Sequence, residues 1–349
     1  MSAIPRFLSW QEDLARSWLG QRERFAHAWL IHGVGGIGKR QFALAAAASL
    51  LCEAPVQGLA CGQCAACHWL AGNNHPDLRR IRPDAIAQDE GVEAVAEEEA
   101  TASTAKKAPS KEIRVDQLRE LSSWFNTATH RGGWRVAVLY PAQALNSISA
   151  NALLKVLEEP PEHTVFLLVA EAPDRLLPTL VSRCRRLPLA SPPSEVCLEW
   201  LRGQGLDAPE SWLAAAGGAP LSALQLAQSG TAACPDWLRQ LVDPLARAQN
   251  PDIGGLADGL EKEPPSVWID TLQRLFVDMS LAASGVPVRY FPTLGESIRA
   301  AAARASLANL SDTGKWLGQQ RAVAGHPLNA KLLVHSVLQR VALACLPAR

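Results

Sequence analysis

A mostly parallel sheet covered by helices, continued by an all-helical region, is the α/β plus all-α fold class that this sequence predicts. Three observations carry it. The apolar run Trp29-Leu30-Ile31-His32 enters Gly33-Val34-Gly35-Gly36-Ile37-Gly38-Lys39-Arg40 and then an Ala-rich stretch over 41–51, which reads as strand, glycine loop and helix. Residues 136–139 and 164–169 read as two further buried strands, with a helical segment over 148–159 between them. Strands alternating with helices imply parallel pairing, and beyond Ala190 the pattern is helical throughout.

At 349 residues the chain exceeds one ordinary domain and suggests two or three. Hydrophobic residues make up 48% and charged residues 19%, which is the composition of a globular chain with a core rather than of a disordered one. Lys plus Arg and Asp plus Glu each total 34, so no global electrostatic footprint for nucleic acid exists and any such contact is local. The start, Met-Ser-Ala-Ile-Pro-Arg, carries no apolar run of signal length, and no segment reaches the length of a membrane helix, so the expected compartment is the cytoplasm.

The glycine loop matches Gly-x-x-x-x-Gly-Lys, in which backbone N–H groups curl around phosphates and the lysine neutralises them. Gly33, Gly38 and Lys39 are the candidate nucleotide contacts. Arg40 stands where a hydroxyl would bind magnesium, which leaves the loop poorly equipped for hydrolysis. An empty relic and a weak ATP site both fit these residues.

Cys52, Cys61, Cys64 and Cys67 follow as Cys-x8-Cys-x2-Cys-x2-Cys, a spacing that lets four thiolates surround one tetrahedral zinc. Four sulfurs leave no position for water, so the ion would be structural. A ferredoxin-type cluster would want another cysteine where Ala71 sits, and four independent buried cysteines are the bland alternative. His68 and His75 read as bystanders, and Cys184, Cys197, Cys234 and Cys345 as core residues.

Between 84 and 112 the composition turns to Ala, Glu, Thr, Ser and Lys without apolar periodicity, which predicts a flexible surface insertion. Arg79, Arg80 and Arg82 just before it read as solvated. The strand at 136–139 then ends in Tyr140-Pro141, where a P-loop ATPase needs two acids. The next helix finishes in Glu158-Glu159 before Pro160-Pro161, which places acids against the helix dipole and hints at a specific contact. Arg183 lies in a turn, Ser182-Arg183-Cys184, where a planar, always-charged guanidinium could bridge phosphoryl oxygens. A Pro-containing linker, Ala-Ser-Pro-Pro-Ser over 190–194, closes the sheet region, and in the last segment Leu333, Val337, Val341 and Cys345 form an apolar stripe that packs either within its domain or against another subunit.

Taken together, these pieces resemble the bacterial clamp-loader branch of the AAA+ superfamily. The resemblance spans nearly the whole chain and rests on His27-Ala-Trp-Leu before the loop, the spaced cysteines, Asn151-Ala-Leu-Leu-Lys-Val-Leu-Glu-Glu-Pro-Pro161, Ser182-Arg183-Cys184 and Leu328-Asn-Ala-Lys-Leu-Leu333. Tyr140-Pro141 replaces the acid pair of the ATP-hydrolysing gamma and tau members, Ala170 stands at the sensor threonine, Leu221 at the arginine after Gly217-Gly218, and Arg40 at the magnesium hydroxyl. The departures imply a member that does not hydrolyse ATP.

The resemblance implies an AAA+ P-loop domain over 1–189, with a zinc module at 52–67 and the insertion at 84–112. A small helical lid over 190–229 and a C-terminal helical collar over 230–349 follow. It further implies a five-subunit ring with delta and three gamma or tau copies, part of a DNA-directed DNA polymerase holoenzyme. Arg183 would reach a neighbouring gamma or tau ATP site as the ring opens the sliding beta clamp and loads it on primed DNA. The rivals are a self-sufficient ATPase of the gamma/tau type using an unusual acid, and a zinc-based nucleic-acid module, which neutral charge argues against.

Overall fold

The computed structural model describes residues 4–21, 25–91, 109–125, 127, 129–130, 133–230, 232–323 and 329–345. It divides into two compact units, Met1–Pro192 and Pro193–Arg349.

In the first unit, β1 (Ala28–His32), β2 (Leu78–Ile81), β3 (Arg135–Leu139), β4 (Thr164–Ala170) and β5 (Arg185–Pro188) form one sheet in the order β2-β3-β4-β1-β5. Every pairing is parallel. β3 and β4 are buried at every position, as continuous apolar runs covered on both faces must be. β2 and β5 escape the sequence reading because they are four-residue edge strands whose arginines break the apolar run.

The helices of this unit are α1 (Glu12–Leu19), α2 (Lys39–Leu51), α3 (Ala65–Ala71), α4 (Asp84–Asp89), α5 (Val115–Phe125), α6 (Ser147–Glu158) and α7 (Pro178–Arg183). α2 buries Ala43, Ala45, Ala46, Ala47 and Ala48, and these small side chains let it lie close on β3 and β4. α5 and α6 cover the sheet with Leu118, Leu121, Trp124, Leu153 and Leu157 around Phe166 and Leu168. Asn146 caps α6 by accepting the Ser149 N–H, and the helix stops ahead of Pro160-Pro161 because proline removes a donor and pushes its predecessor out of helical geometry.

Two expectations need correction here. The stretch 84–112 is not a uniform flexible insertion: its first part is α4, and Glu90 just beyond is tied into the sheet unit, whereas 92–108 lie outside the described residues. Arg82 is not solvated either, since it is buried against Glu90. Arg79, although it stacks over Trp124, stays exposed, and Arg80 donates to Asn73 at the surface.

The second unit is helical: α8 (Ser194–Gly203), α9 (Pro209–Ala215), α10 (Pro220–Gln228), α11 (Asp236–Ala246), α12 (Ile253–Leu260), α13 (Pro265–Ala283), α14 (Gly295–Ala302), α15 (Leu307–Val323) and α16 (Ala330–Cys345). A small cluster of Cys197, Leu201, Leu213 and Ala223 holds α8 to α10 together. A larger one around Trp268, Phe276 and Phe291 unites α11 to α16. Val337, Val341 and Cys345 of α16 are buried in that larger core with Leu333 packed at its edge, so the apolar stripe serves its own unit. The fully buried Asp278 accepts backbone N–H groups of Arg289, Tyr290 and Phe291 at 2.7, 3.0 and 2.8 Å, which fixes the segment ahead of α14.

Candidate functional site

The glycine loop joins β1 to α2, and Gly38 takes the left-handed conformation, φ 90°, that the sharp entry into α2 requires. Gly33 answers to packing: a Cβ there would lie 2.5 Å from the Leu189 carbonyl oxygen, where the chain leaves β5. From behind, the buried Gln11 amide donates to the Ile37 and Gly38 carbonyls at 3.1 and 3.0 Å. The loop is thus held by its neighbours on both sides.

Lys39 is only 5% exposed. Its ammonium donates to the Val34 carbonyl and lies 3.5 Å from a Glu171 carboxylate oxygen. Burial lowers its pKa, and Glu171 partly restores it. Register explains the encounter, because Ala170 at the end of β4 pairs with His32 at the end of β1, which puts residue 171 beside the start of the loop.

Where β3 ends, Tyr140 is buried and its O–H donates to both oxygens of Glu90, at 2.9 and 3.1 Å. The same carboxylate lies 2.7 Å from Arg82 Nε and 3.1 Å from Arg40 Nη1. Burial first, and then Glu90's charge, push the Tyr140 phenol up, which keeps it a proton donor. Arg40 and Tyr140, two of the departures noted in the sequence, are therefore tied to each other through one acid. Neither Glu90 nor Glu171 belongs to a sequence pattern that marks it, and both were missed.

The four cysteines converge. Their sulfurs all lie within 4.8 Å of one another, with Cys52 to Cys64 at 3.8 Å and Cys61 to Cys67 at 3.9 Å. Cys52 sits at the end of α2, Cys64 caps α3 and Cys67 follows one turn in, so two helix ends and one loop present the set. The amides of Gln63 and Cys64 point at the Cys61 sulfur and lower its pKa to about 6, while burial pushes Cys67 up. Crowded thiols that cannot all ionise unaided are the chemistry a thiophilic cation satisfies, and the donor set fits zinc. His68 and His75 are not in the set.

Arg183 is the last residue of α7 and so helical, which corrects the expected turn. Its Nη1 donates to the Thr179 carbonyl at 3.0 Å and its Nη2 lies 2.5 Å from Glu158 Oε1 at the end of α6. The contact hinted at by acids in a helix's last turn is this one. Arg183 and Lys39 belong to separate networks: the first bonds to Thr179 and Glu158, the second to Val34 and Glu171. No helix among the described residues is long and apolar enough to cross a membrane.

With this geometry in view, the relatives fall into one group. The family described as "DNA polymerase III, delta subunit" matches residues 12–193. DNA polymerase III subunit delta' of Pseudomonas aeruginosa is 42% identical over 225 residues, 63% of this chain and 61% of that protein. The Escherichia coli subunit of the same name is 34% identical over 211 residues, 60% of this chain and 56% of that one. The matches thus span less than two thirds of these relatives' length. Among solved structures, a DNA polymerase III gamma subunit-related protein from Thermotoga maritima aligns with 97% of this chain and 100% of its own at 14% identity and a TM-score of 0.46. The chain belongs to the family of bacterial DNA polymerase III delta-prime subunits.

Proposed function

We propose that this chain is the non-hydrolysing stator of the DNA polymerase III clamp loader and that its site chemistry is exercised in trans. The observation that carries the reading is the end of β3: the position that needs an acid holds Tyr140, and the nearby acid, Glu90, is already shared by Tyr140, Arg82 and Arg40. A carboxylate committed to two guanidiniums and a phenol is not free to hold magnesium or to orient water. Arg183, by contrast, is part-exposed at a helix end with donors to spare beyond Thr179 and Glu158. It would serve as an arginine finger for a neighbouring gamma or tau ATP site.

In this reading the partners are delta and gamma or tau subunits in a hetero-pentamer, with the beta sliding clamp and primed DNA engaged by the assembly. Residues 1–189 form the AAA+ domain, 190–229 the lid and 230–349 the collar. Cys52, Cys61, Cys64 and Cys67 hold a structural zinc that ties the end of α2 to α3.

Reconstitution with the partner subunits tests the proposal. The wild-type chain alone should not turn over ATP, and Arg183→Ala should cut the assembly's ATPase, at the one site it faces, and its clamp loading while the ring stays intact. Unchanged loading by that variant removes the finger. Turnover by the isolated chain that disappears with Lys39→Ala would install the self-sufficient ATPase instead.

A further inference from the structure

We propose that Glu171 and Glu90 set the ligand preference of the glycine loop, each occupying one of its two cations, so that the cleft rejects nucleoside triphosphates and has no place for magnesium. This rests on reading residues 33–40 as a P-loop and is independent of the role given to Arg183.

A P-loop binds a polyphosphate through inward-pointing backbone N–H groups and its lysine, and a metal at the following hydroxyl neutralises the remaining charge. Each of these provisions meets a group of the chain itself. Lys39 is buried, donates to Val34 within its own loop and faces Glu171. The Glu171 carboxylate also lies against the loop backbone, since a Cβ on Gly35 would be 3.2 Å from Glu171 Oε1. A polyphosphate entering there brings like charge to like charge and must displace a carboxylate from the lysine it needs.

At the metal position the exchange is more thorough. Arg40 stands in place of the hydroxyl residue, and its guanidinium pairs with Glu90 at 3.1 Å. Glu90 in turn accepts from Tyr140, which follows β3, and pairs with Arg82. Its side chain is 15% exposed and that of Arg82 10%, whereas Arg40 reaches the acid from the surface with its side chain 56% exposed. A divalent ion at this point would lie beside a guanidinium and compete with two arginines for one acid. The residues do not fit magnesium, and the mismatch is built from four parts of the chain at once: α2, the residue after β2, the segment after α4, and the end of β3.

Glu171 has a side chain 56% exposed and, among the described residues, pairs with Lys39, so its neutral isostere should fold normally. The test is equilibrium dialysis of the full chain against labelled ATP, in magnesium and in EDTA, for wild type, Glu171→Gln, and Glu171→Gln combined with Lys39→Ala. Glu171→Gln should bind ATP at least about tenfold more tightly than wild type, equally well in EDTA, and the gain should vanish when Lys39→Ala is added. Equal affinity of wild type and Glu171→Gln overturns the proposal, as does tightening that survives Lys39→Ala or binding that requires magnesium. Arg183 is intact in every sample, so failure here leaves the arginine finger standing, and a finger without effect leaves this inference standing, whereas ATP turnover by the isolated wild-type chain would overturn both.

Discussion

Arg183 at the end of α7 and Glu158 at the end of α6 meet at 2.5 Å, joining two motifs that lie 25 residues apart in the sequence. The Thr179 carbonyl holds the guanidinium from the other side. With side chains 35% and 50% exposed, the pair contributes under about 1 kcal/mol to stability, so under the proposed function its role is to orient the guanidinium.

Glu158→Gln should therefore leave the melting temperature unchanged while lowering ATP turnover of the reconstituted loader severalfold, because a neutral amide orients the guanidinium less firmly. Arg183→Ala should cost more, on the order of 10³ at the single site it serves. Single-turnover ATPase of the assembled ring measures both. Full activity of Glu158→Gln would show that the carboxylate does not position the arginine.

The cysteine cluster predicts a zinc content equal to the protein concentration in freshly reduced samples. Replacing the buried Cys67 with Ser should abolish binding and lower the melting temperature by roughly 5 °C. Elemental analysis and a thermal melt with and without chelator check this, and a metal-free reduced protein with an unchanged melt would refute it.

Asp278→Ala should destabilise the helical unit by roughly 3 kcal/mol, since three backbone donors at 289, 290 and 291 lose their acceptor inside the core. Asp278→Asn, which keeps one carbonyl oxygen, should cost less. Denaturant unfolding followed by tryptophan fluorescence reports it through Trp268 in the adjoining core. Equal stability of Asp278→Ala and wild type would contradict the role assigned to the carboxylate.

Gly33→Ala should destabilise the sheet unit by about 1 to 3 kcal/mol even with no nucleotide present, because its Cβ would press on the Leu189 carbonyl, a backbone group that cannot turn aside. A loss seen only in nucleotide binding would instead make Gly33 a ligand contact. The chain's own packing is reason enough for glycine there.

The sequence by itself determined the parts whose meaning lies in short spacing. The strand, glycine loop and helix around Gly33 to Lys39 are legible because a buried strand, a phosphate-type turn and an Ala-rich helix each leave a local pattern. The four cysteines and the missing acids at Tyr140-Pro141 are legible for the same reason. Only the tertiary structure decided who stands opposite those residues. Glu90 lies 50 residues from both Tyr140 and Arg40, and Glu171 reaches Lys39 through the pairing of β4 with β1. A carboxylate recruited by a parallel sheet carries no periodic mark in the chain, because its partner is set by strand order and register. β2 and β5 hid for a related reason, since an edge strand is solvated on one side and needs no continuous apolar run to form.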